Sequence, residues 1–301
     1  MRTWSQRSGW AVVLGLAVAG CADSDDGAGY SVREGAVEEV GYGDRATVIV
    51  MDQRSWIVSG TIGEGCVQVE DRCIEVMGAH KKWCGKPGGL ADLYVVEGSV
   101  VAGVCYPSPE DGLPLQEVTT EAGGTTTLPQ NANGAVVVFD PATDGEPIPG
   151  DLVLVGERAV LFGNGPLATL LDGSVEVQSN NARLRGLRVS GLSVAKNSNN
   201  VGIAFSQVRG NMTVAGNGVR ILGCEVFGDL HIEGNGAVLA DVGVQGTFTG
   251  DAECHGCYSF ADANGDFRVD SGEVKGPLGG GAKSTTGGDV KDPKDPKAPK
   301  G

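Results

Sequence analysis

Aromatic residues and positive charges are both scarce in this 301-residue chain. Phe, Trp and Tyr together make up 5% of the residues, which argues against a carbohydrate-binding groove built on stacked rings. The 23 Lys and Arg residues are outnumbered by 38 Asp and Glu residues, so the formal net charge is −15. This deficit of positive charge disfavours nucleic acid and anionic lipid surfaces as partners, whereas it suits a soluble surface domain that binds cations.

Long apolar runs are also missing. Residues 10–19 are apolar, but a membrane-spanning helix needs about 20 such residues. This run follows Arg2 and Arg7 and ends at Gly20, so it has the basic, apolar and small-residue regions of a secretory signal. We therefore predict a signal peptide at residues 1–20. The alternative is a secreted protein that is cleaved elsewhere, in which Cys21 stands after the leader by chance.

Residues 16–21, Leu-Ala-Val-Ala-Gly-Cys, resemble the bacterial lipobox, in which small residues precede an obligatory cysteine. The resemblance implies that the Cys21 thiol receives diacylglycerol, that the leader is cut before it, and that the new amine is acylated, for example with palmitate. Two or more acyl chains give stable anchoring, because each buried CH₂ contributes about 0.8 kcal/mol. We expect a lipoprotein of the cell envelope, anchored to a membrane through its lipid at the outer membrane or cell surface.

Both ends of the mature chain are poor in apolar residues. Residues 21–43 begin with small and acidic residues, which predicts a flexible tether. Residues 276–301 are rich in glycine and then alternate Lys, Asp and Pro, which predicts a disordered or polyproline-like tail. A solubilising terminus is the favoured interpretation of this tail, and a segment that reaches peptidoglycan or a partner is the alternative.

Seven cysteines remain besides Cys21, and export to an oxidising compartment favours disulfides among them. Four lie within residues 44–106, where short apolar runs separated by Gly and Asp predict a small β domain. Residues 107–133 are predicted to be a connector. Sequence alone leaves the pairing open. The disulfide candidates are Cys66, Cys73, Cys84, Cys105, Cys254 and Cys257.

Residues 134–250 repeat. Gly191, Gly210, Gly228 and Gly246 recur at intervals of 19, 18 and 18 residues, and the apolar residues between them alternate with polar ones. A unit of about 18 residues cannot bury its own apolar stripe, but units stacked about 4.8 Å apart bury all their stripes in one core. The repeat therefore predicts a β-solenoid. Its predicted outward columns are Glu176/Ser193/Thr213/His231, Arg183/Gly202/Arg220/Val238 and Arg188/Gln207/Glu225/Gly243.

One polar column recurs at the same place in each repeat: Asn180, Asn199, Asn217 and Asn235. Asn or Gly follows each of them, and both residue types tolerate the left-handed backbone of a sharp corner. Stacked asparagine amides can hydrogen-bond between turns, and in this the repeat resembles right-handed parallel β-helices. Left-handed hexapeptide helices also have 18-residue coils, but they carry an aliphatic residue every six positions. The fold class is thus predicted to be all-β, a short right-handed parallel β-helix preceded by a small disulfide-containing β domain.

An acidic motif and a CxxC motif lie in residues 251–275. The acidic motif spaces its oxygen ligands as a 12-residue calcium loop does and resembles EF-hand and dockerin loops. It departs from them at its sixth position, Phe267, where the family has glycine, and it has no proper exiting helix before Pro277. The alternative is an acidic turn that binds nothing. The expected Ca²⁺ ligands are Asp262, Asn264, Asp266, the carbonyl of Arg268, Asp270 and Glu273.

The Cys254–Cys257 spacing suits a local disulfide better than other cysteine chemistry. Redox catalysis would need a helix N-terminus, and c-type haem attachment would need histidine at the position of Tyr258. Zinc would need two further ligands. The remaining cysteine, Cys224, falls in an inward column of the solenoid, which predicts a buried, unreactive thiol.

The sequence does not decide what the anchored domain does. Many right-handed β-helix proteins cleave polysaccharides, which requires stacked or paired acids beside Arg or Lys. No two acids stack in the predicted outward columns. We expect a non-catalytic lipoprotein whose β-helix is a binding or structural module for a cell-surface glycan or envelope protein. The alternative is a small calcium-dependent polysaccharide lyase or hydrolase.

Overall fold

The computed structural model describes residues 48–50, 55–62, 66–69, 72–75, 89–96, 99–107, 111–118, 123–128, 134–139, 147–163, 169–269, 271–278 and 282–284. The predicted signal peptide, Cys21, the tether and the tail beyond residue 284 lie outside these residues. In the part of the chain described, no helix combines the length and the apolar character needed to span a membrane.

The N-terminal unit is a small antiparallel sheet. Its central strand β2 pairs on one side with β5, from Thr61 opposite Leu90 to Ser55 opposite Val96. The strand order is β4-β3-β2-β5-β6, with β1 also paired to β2. The central strands β2 and β5 are buried on both faces, since consecutive residues such as Ile57 and Val58 are fully buried. The strands are β1 Val48–Val50, β2 Ser55–Ile62, β3 Cys66–Val69, β4 Arg72–Glu75, β5 Leu90–Val96 and β6 Ser99–Cys105.

The rest of the described chain forms a β-solenoid of about seven turns with a spacing of about 18 residues, which confirms the predicted all-β, parallel solenoid. Its handedness stays a prediction. The strands are β7 Leu115–Val118, β8 Thr125–Leu128, β9 Val136–Phe139, β10 Pro147–Ile148, β11 Asp151–Leu154, β12 Val160–Phe162, β13 Leu170–Val177, β14 Arg183–Arg185, β15 Arg188–Val194, β16 Gly202–Ala204, β17 Gln207–Val208, β18 Met212–Val214, β19 Arg220–Leu222, β20 Glu225–Val226, β21 Leu230–Ala240, β22 Gly243–Val244, β23 Phe248–His255, β24 Tyr258–Phe260, β25 Val274–Pro277 and β26 Ala282–Ser284.

Three short strands in each turn create three faces, and their registers match the columns predicted from the repeat. The first face stacks Glu176, Ser193, Thr213 and His231, and Thr249 extends it. The second face carries the Arg183 column and the third face the Arg188 column. The side chains between them point into one continuous apolar core, in which Leu184, Ile221 and Leu239 are fully buried.

The predicted asparagine ladder is present at one corner. Asn199 donates its backbone N–H to Asn180 Oδ1 at 2.8 Å, and Asn217 and Asn235 repeat this contact one turn further on, at 3.3 and 3.0 Å. The side-chain amides also donate to the same oxygens at 3.1–3.3 Å. The residue that follows each ladder position has a positive φ, as the corner requires: Asn181 56°, Asn200 56°, Gly218 64° and Gly236 68°.

The solenoid extends beyond residues 134–250 at both ends. Strands β7 and β8 lie within the predicted connector, yet β8 pairs in parallel with β11 and β7 with β9. Strand β8, Thr125–Leu128, consists of three consecutive threonines and a leucine, because β-branched side chains suit an extended backbone even without the glycine and valine spacing of the later turns. At the other end, β23 and β26 add pairing as far as Ser284.

The antiparallel sheet packs onto the second face of the solenoid. Tyr94, Val104 and Tyr106 share an apolar cluster with Ala204 and other residues of that face. The approach is close at Gly202, since a Cβ placed there would lie 2.6 Å from Val104 Cγ1. The second face is therefore covered by the sheet.

The described cysteines include disulfide-bonded residues and one buried thiol. Cys254 and Cys257 form a disulfide within the last part of the core, as the CxxC spacing predicts. Cys105 is disulfide-bonded, and the side chains of Cys66, Cys73 and Cys84 lie outside the described residues. Cys224 remains a buried thiol whose Sγ donates to the Leu222 carbonyl at 3.3 Å.

Candidate functional site

The acidic loop begins after β24 and folds around Asp262. One carboxylate oxygen of Asp262 accepts the Gly265 N–H at 2.7 Å, and the other accepts the Phe267 N–H at 3.1 Å. Asn264 and Asp266 accept backbone N–H groups two residues further on, at 3.0 and 2.8 Å. These short-range bonds coil residues 262–268 into a compact turn.

The loop closes at its far end through Glu273, in the 3₁₀ helix Ser271–Glu273. Glu273 Oε1 accepts the Ala263 N–H at 2.8 Å, and its backbone carbonyl accepts the Ala261 N–H at 2.9 Å. The first and last expected ligands are thus brought to the same end of the loop. Asp270 lies outside the described residues, and among those described no cluster of three or more His, Cys, Asp or Glu residues has metal-binding geometry.

Phe267 adopts the backbone conformation that makes glycine usual at this position of a calcium loop. Its φ is +58°, and that of Gly265 is +73°. Its ring packs against Phe227 at a centroid distance of 5.2 Å, while the Arg209 guanidinium carbon lies 4.9 Å from the Phe267 ring centre. The sequence departure at Phe267 therefore serves to dock the loop on the solenoid.

A second apolar contact holds the same loop. Val269 and Phe260 are buried with Phe227, and the Phe227 and Phe260 rings meet edge to face at 5.1 Å. Phe227 projects from the corner that follows β20, so the loop rests on the edge of the third face. The sequence reveals the loop spacing but not this docking, because Phe227 is a single residue outside the repeat columns.

The third face carries a chain of polar contacts next to the docked loop. Arg188 Nε donates to Gln207 Oε1 at 2.8 Å, and Gln207 Nε2 donates to Glu225 Oε2 at 2.5 Å. Burial, and after it the nearby Arg209, lowers the pKa of Arg188, while Glu225 and Asp266 oppose that shift. Charged groups of the solenoid and of the acidic loop therefore act on one another here.

A second polar cluster is buried between the antiparallel sheet and the solenoid. Asp92 accepts hydrogen bonds from Ser59 Oγ and Tyr106 Oη, each at 2.6 Å, and from Arg185 Nε at 2.9 Å. Burial, and after it Asp92, raises the pKa of Tyr106 well above its ordinary value. Burial alone would lower the pKa of Arg185, but Asp92 raises it overall. This cluster is fully paired and fastens the two units together.

The first face is polar and open. His231 Nδ1 lies 2.6 Å from Thr249 Oγ1, and His231 Nε2 lies 3.2 Å from Glu233. His231 and Thr249 stack in one column with Ser193 and Thr213, and Glu176 is the one acid in the described part of that column.

Comparisons with known proteins add no family. No model of a protein family, no curated protein and no solved structure matches this chain.

Proposed function

We propose that this protein is a lipid-anchored module of the cell envelope, in which a rigid β-solenoid serves as a non-catalytic binding or structural surface with one calcium site at its C-terminal end. The observation that carries the proposal is the acidic loop, which Glu273 closes by accepting the Ala263 N–H and which is docked on the solenoid through Phe267 and Val269.

The donor set of the loop suits Ca²⁺. Hard carboxylate, amide and carbonyl oxygens are what this ion prefers. The turn geometry at Phe267 supports the assignment, because a positive φ at this position lets the chain wrap an ion. Backbone N–H groups hold carboxylate oxygens of Asp262, Asp266 and Glu273 in place. The proposed ligands are Asp262, Asn264, Asp266, the Arg268 carbonyl, Asp270 and Glu273, and an open single loop of this kind is expected to bind near 10⁻⁴–10⁻³ M.

Calorimetry on chelator-treated protein tests the calcium site. We expect saturable Ca²⁺ binding in the millimolar range, weakened about tenfold or more by Glu273→Gln, which removes a charged ligand but keeps its shape. The exposed Glu157 lies on the solenoid away from the loop, so Glu157→Gln is the matched control and should bind as the parent does. If no heat of binding is measured at millimolar Ca²⁺, the calcium site is refuted and the loop is an acidic turn that binds no metal.

The anchor is tested at Cys21. Cys21→Ser removes the thiol that the lipobox resemblance assigns to diacylglycerol, so the variant should remain uncleaved or leave the membrane fraction. Mass spectrometry of the parent protein is the direct readout, and we expect a lipidated N-terminal Cys21. An unmodified N-terminus at another residue would contradict the proposal.

One observation favours the enzymatic alternative, a calcium-dependent polysaccharide lyase or hydrolase. Arginines of the solenoid lie beside the proposed calcium loop, and such enzymes pair a cation with a basic group. The described outward columns offer single acids rather than pairs, so the non-catalytic proposal is preferred. Reproducible glycan cleavage in calcium buffer, lost in Arg209→Ala, would reverse that preference.

A further inference from the structure

Arg188 on the third face and Arg209 beside it have buried donors with no hydrogen-bond partner among the described residues. Arg188 is only 9% exposed, and its Nη2 is buried with no hydrogen-bond partner among the described residues. The Nε of Arg209, on the next turn, is buried and equally lacks a described partner. An unpaired donor on a buried cation is costly, because it has lost water without gaining an acceptor.

The positions of both arginines are constrained by their other contacts. Arg188 is held by Gln207, whose own amide is fixed by its bond to Glu225. Arg209 is held by the ring of Phe267, beneath its guanidinium. Both side chains are therefore held in place by contacts within the protein, which lowers the entropic cost of binding a ligand.

The local charge is positive although the chain is acidic. Arg209 and Arg268 both act on Arg188, and Glu225 and Asp266 are the acids that act on it. Arg188 and the charged groups that act on it thus comprise three guanidinium groups and two carboxylates. Guanidinium N–H groups are matched by the oxygens of carboxylate and phosphate. The net charge of −15 disfavours a polyanion as the ligand, which leaves a single oxyanion group.

We propose that Arg188 and Arg209, with Arg268 at the rim, form a binding site for one oxyanion group, a carboxylate or a phosphate, on the ligand of this module. The site specifies what the proposed binding surface recognises. The two buried donors belong to Arg188 and Arg209, which are solenoid residues. The oxyanion site can therefore exist even if the acidic loop binds no calcium.

Calcium binding should strengthen the site. Asp266 is both a proposed calcium ligand and one of the two acids that offset the arginines. A bound Ca²⁺ neutralises Asp266 and holds Phe267 beneath Arg209, so it should raise the affinity for the anion. By reciprocity, the anion should raise the affinity for calcium by the same factor.

Arginine Nε–Hε resonances give a direct measurement. Chelator-treated full-length protein is titrated with acetate, which represents a carboxylate ligand, and separately with inorganic phosphate. We expect saturable shifts of the Arg188 and Arg209 signals at millimolar anion, and the arm with the lower Kd identifies the source of the oxyanion. Repeating the acetate arm in calcium should lower the Kd several-fold.

Variants distinguish a specific anion-binding site from a general electrostatic effect of the added salt. Arg188→Gln and Arg209→Gln should each weaken binding at least tenfold, read on the arginine that remains, whereas Lys196→Gln removes an exposed charge elsewhere on the solenoid and should change nothing. Linear, unsaturated shifts of equal size in the parent and both arginine variants would overturn the proposal. The parent titration is decisive even if one variant fails to fold. A failure of calcium binding removes only the calcium effect, so the two proposals fail separately.

Discussion

Phe267 shows at the residue scale how one side chain can offset a backbone cost. A non-glycine residue in the left-handed region costs about 1–2 kcal/mol. The Phe267 ring makes an edge-to-face contact with Phe227, which contributes about 0.5–1.5 kcal/mol, and a cation–π contact with Arg209, which contributes about 0.5–1 kcal/mol. The two effects are of similar size, so phenylalanine is tolerated where glycine is usual.

Two substitutions at Phe267 separate these effects. Phe267→Ala removes the ring but keeps the strained backbone, so it should lower the free energy of local opening of the loop by about 1–2 kcal/mol. Phe267→Gly removes the ring and the strain together, so its loss should be smaller by about 1 kcal/mol. Hydrogen exchange of the Ala261 amide, which donates to the Glu273 carbonyl, reports the opening. Equal exchange in both variants would show that the backbone strain is unimportant.

At the scale of elements, the buried Asp92–Arg185 pair links β5 of the antiparallel sheet to β14 of the solenoid. Arg185 Nε lies 2.9 Å from Asp92 Oδ2, and the side chains are 6% and 0% exposed. A buried pair adds little net stability over an apolar pair of similar volume, but removing one partner leaves an uncompensated buried charge. Its role here is to fix where the sheet sits on the second face.

Asp92→Asn should therefore destabilise the protein by about 3–5 kcal/mol, since the Arg185 charge loses its counterion. Adding Arg185→Met removes that charge and should recover a large part of the loss. Urea unfolding followed by circular dichroism measures both free energies. A double variant as unstable as Asp92→Asn alone would mean that the damage comes from lost packing and not from the unpaired charge.

The elements that repeat could be predicted, and those that occur once could not. Stacked turns force residues 18 or 19 positions apart into one column, so the sequence period alone predicts the Arg188 column and the asparagine ladder. Strands β7 and β8 lack the glycine period and were expected to be a connector. The docking of the antiparallel sheet and the Asp92–Arg185 pair depend on contacts far apart in sequence, and no local pattern encodes them.

In the candidate site, too, some features could be predicted from the sequence and others could not. The spacing of Asp262, Asn264 and Asp266 is a local signal, and the chain coils accordingly. Arg188 and Arg209 were predictable as solenoid residues, but the lack of a described partner for their buried donors depends on how the loop and the neighbouring turns surround them. Such a feature needs the packed structure.

At the scale of the whole molecule, a solenoid with one continuous core carries an acidic loop whose order we propose to depend on Ca²⁺. The solenoid is held by a continuous apolar core and by hydrogen bonds between every pair of turns described in residues 169–250. Most side chains of the acidic loop are exposed, and its carboxylates repel one another when no cation is present. Calcium should therefore order the loop and leave the solenoid unchanged.

Limited trypsin digestion with and without calcium tests this central claim most directly, with trypsin activity matched on a peptide substrate in both buffers. In chelator, we expect rapid cleavage after Arg268 and Lys275, and millimolar Ca²⁺ should slow it about tenfold or more. Cleavage after Arg209 and Arg220, within the solenoid, should stay slow in both buffers. Identical cleavage rates after Arg268 with and without calcium would contradict the account.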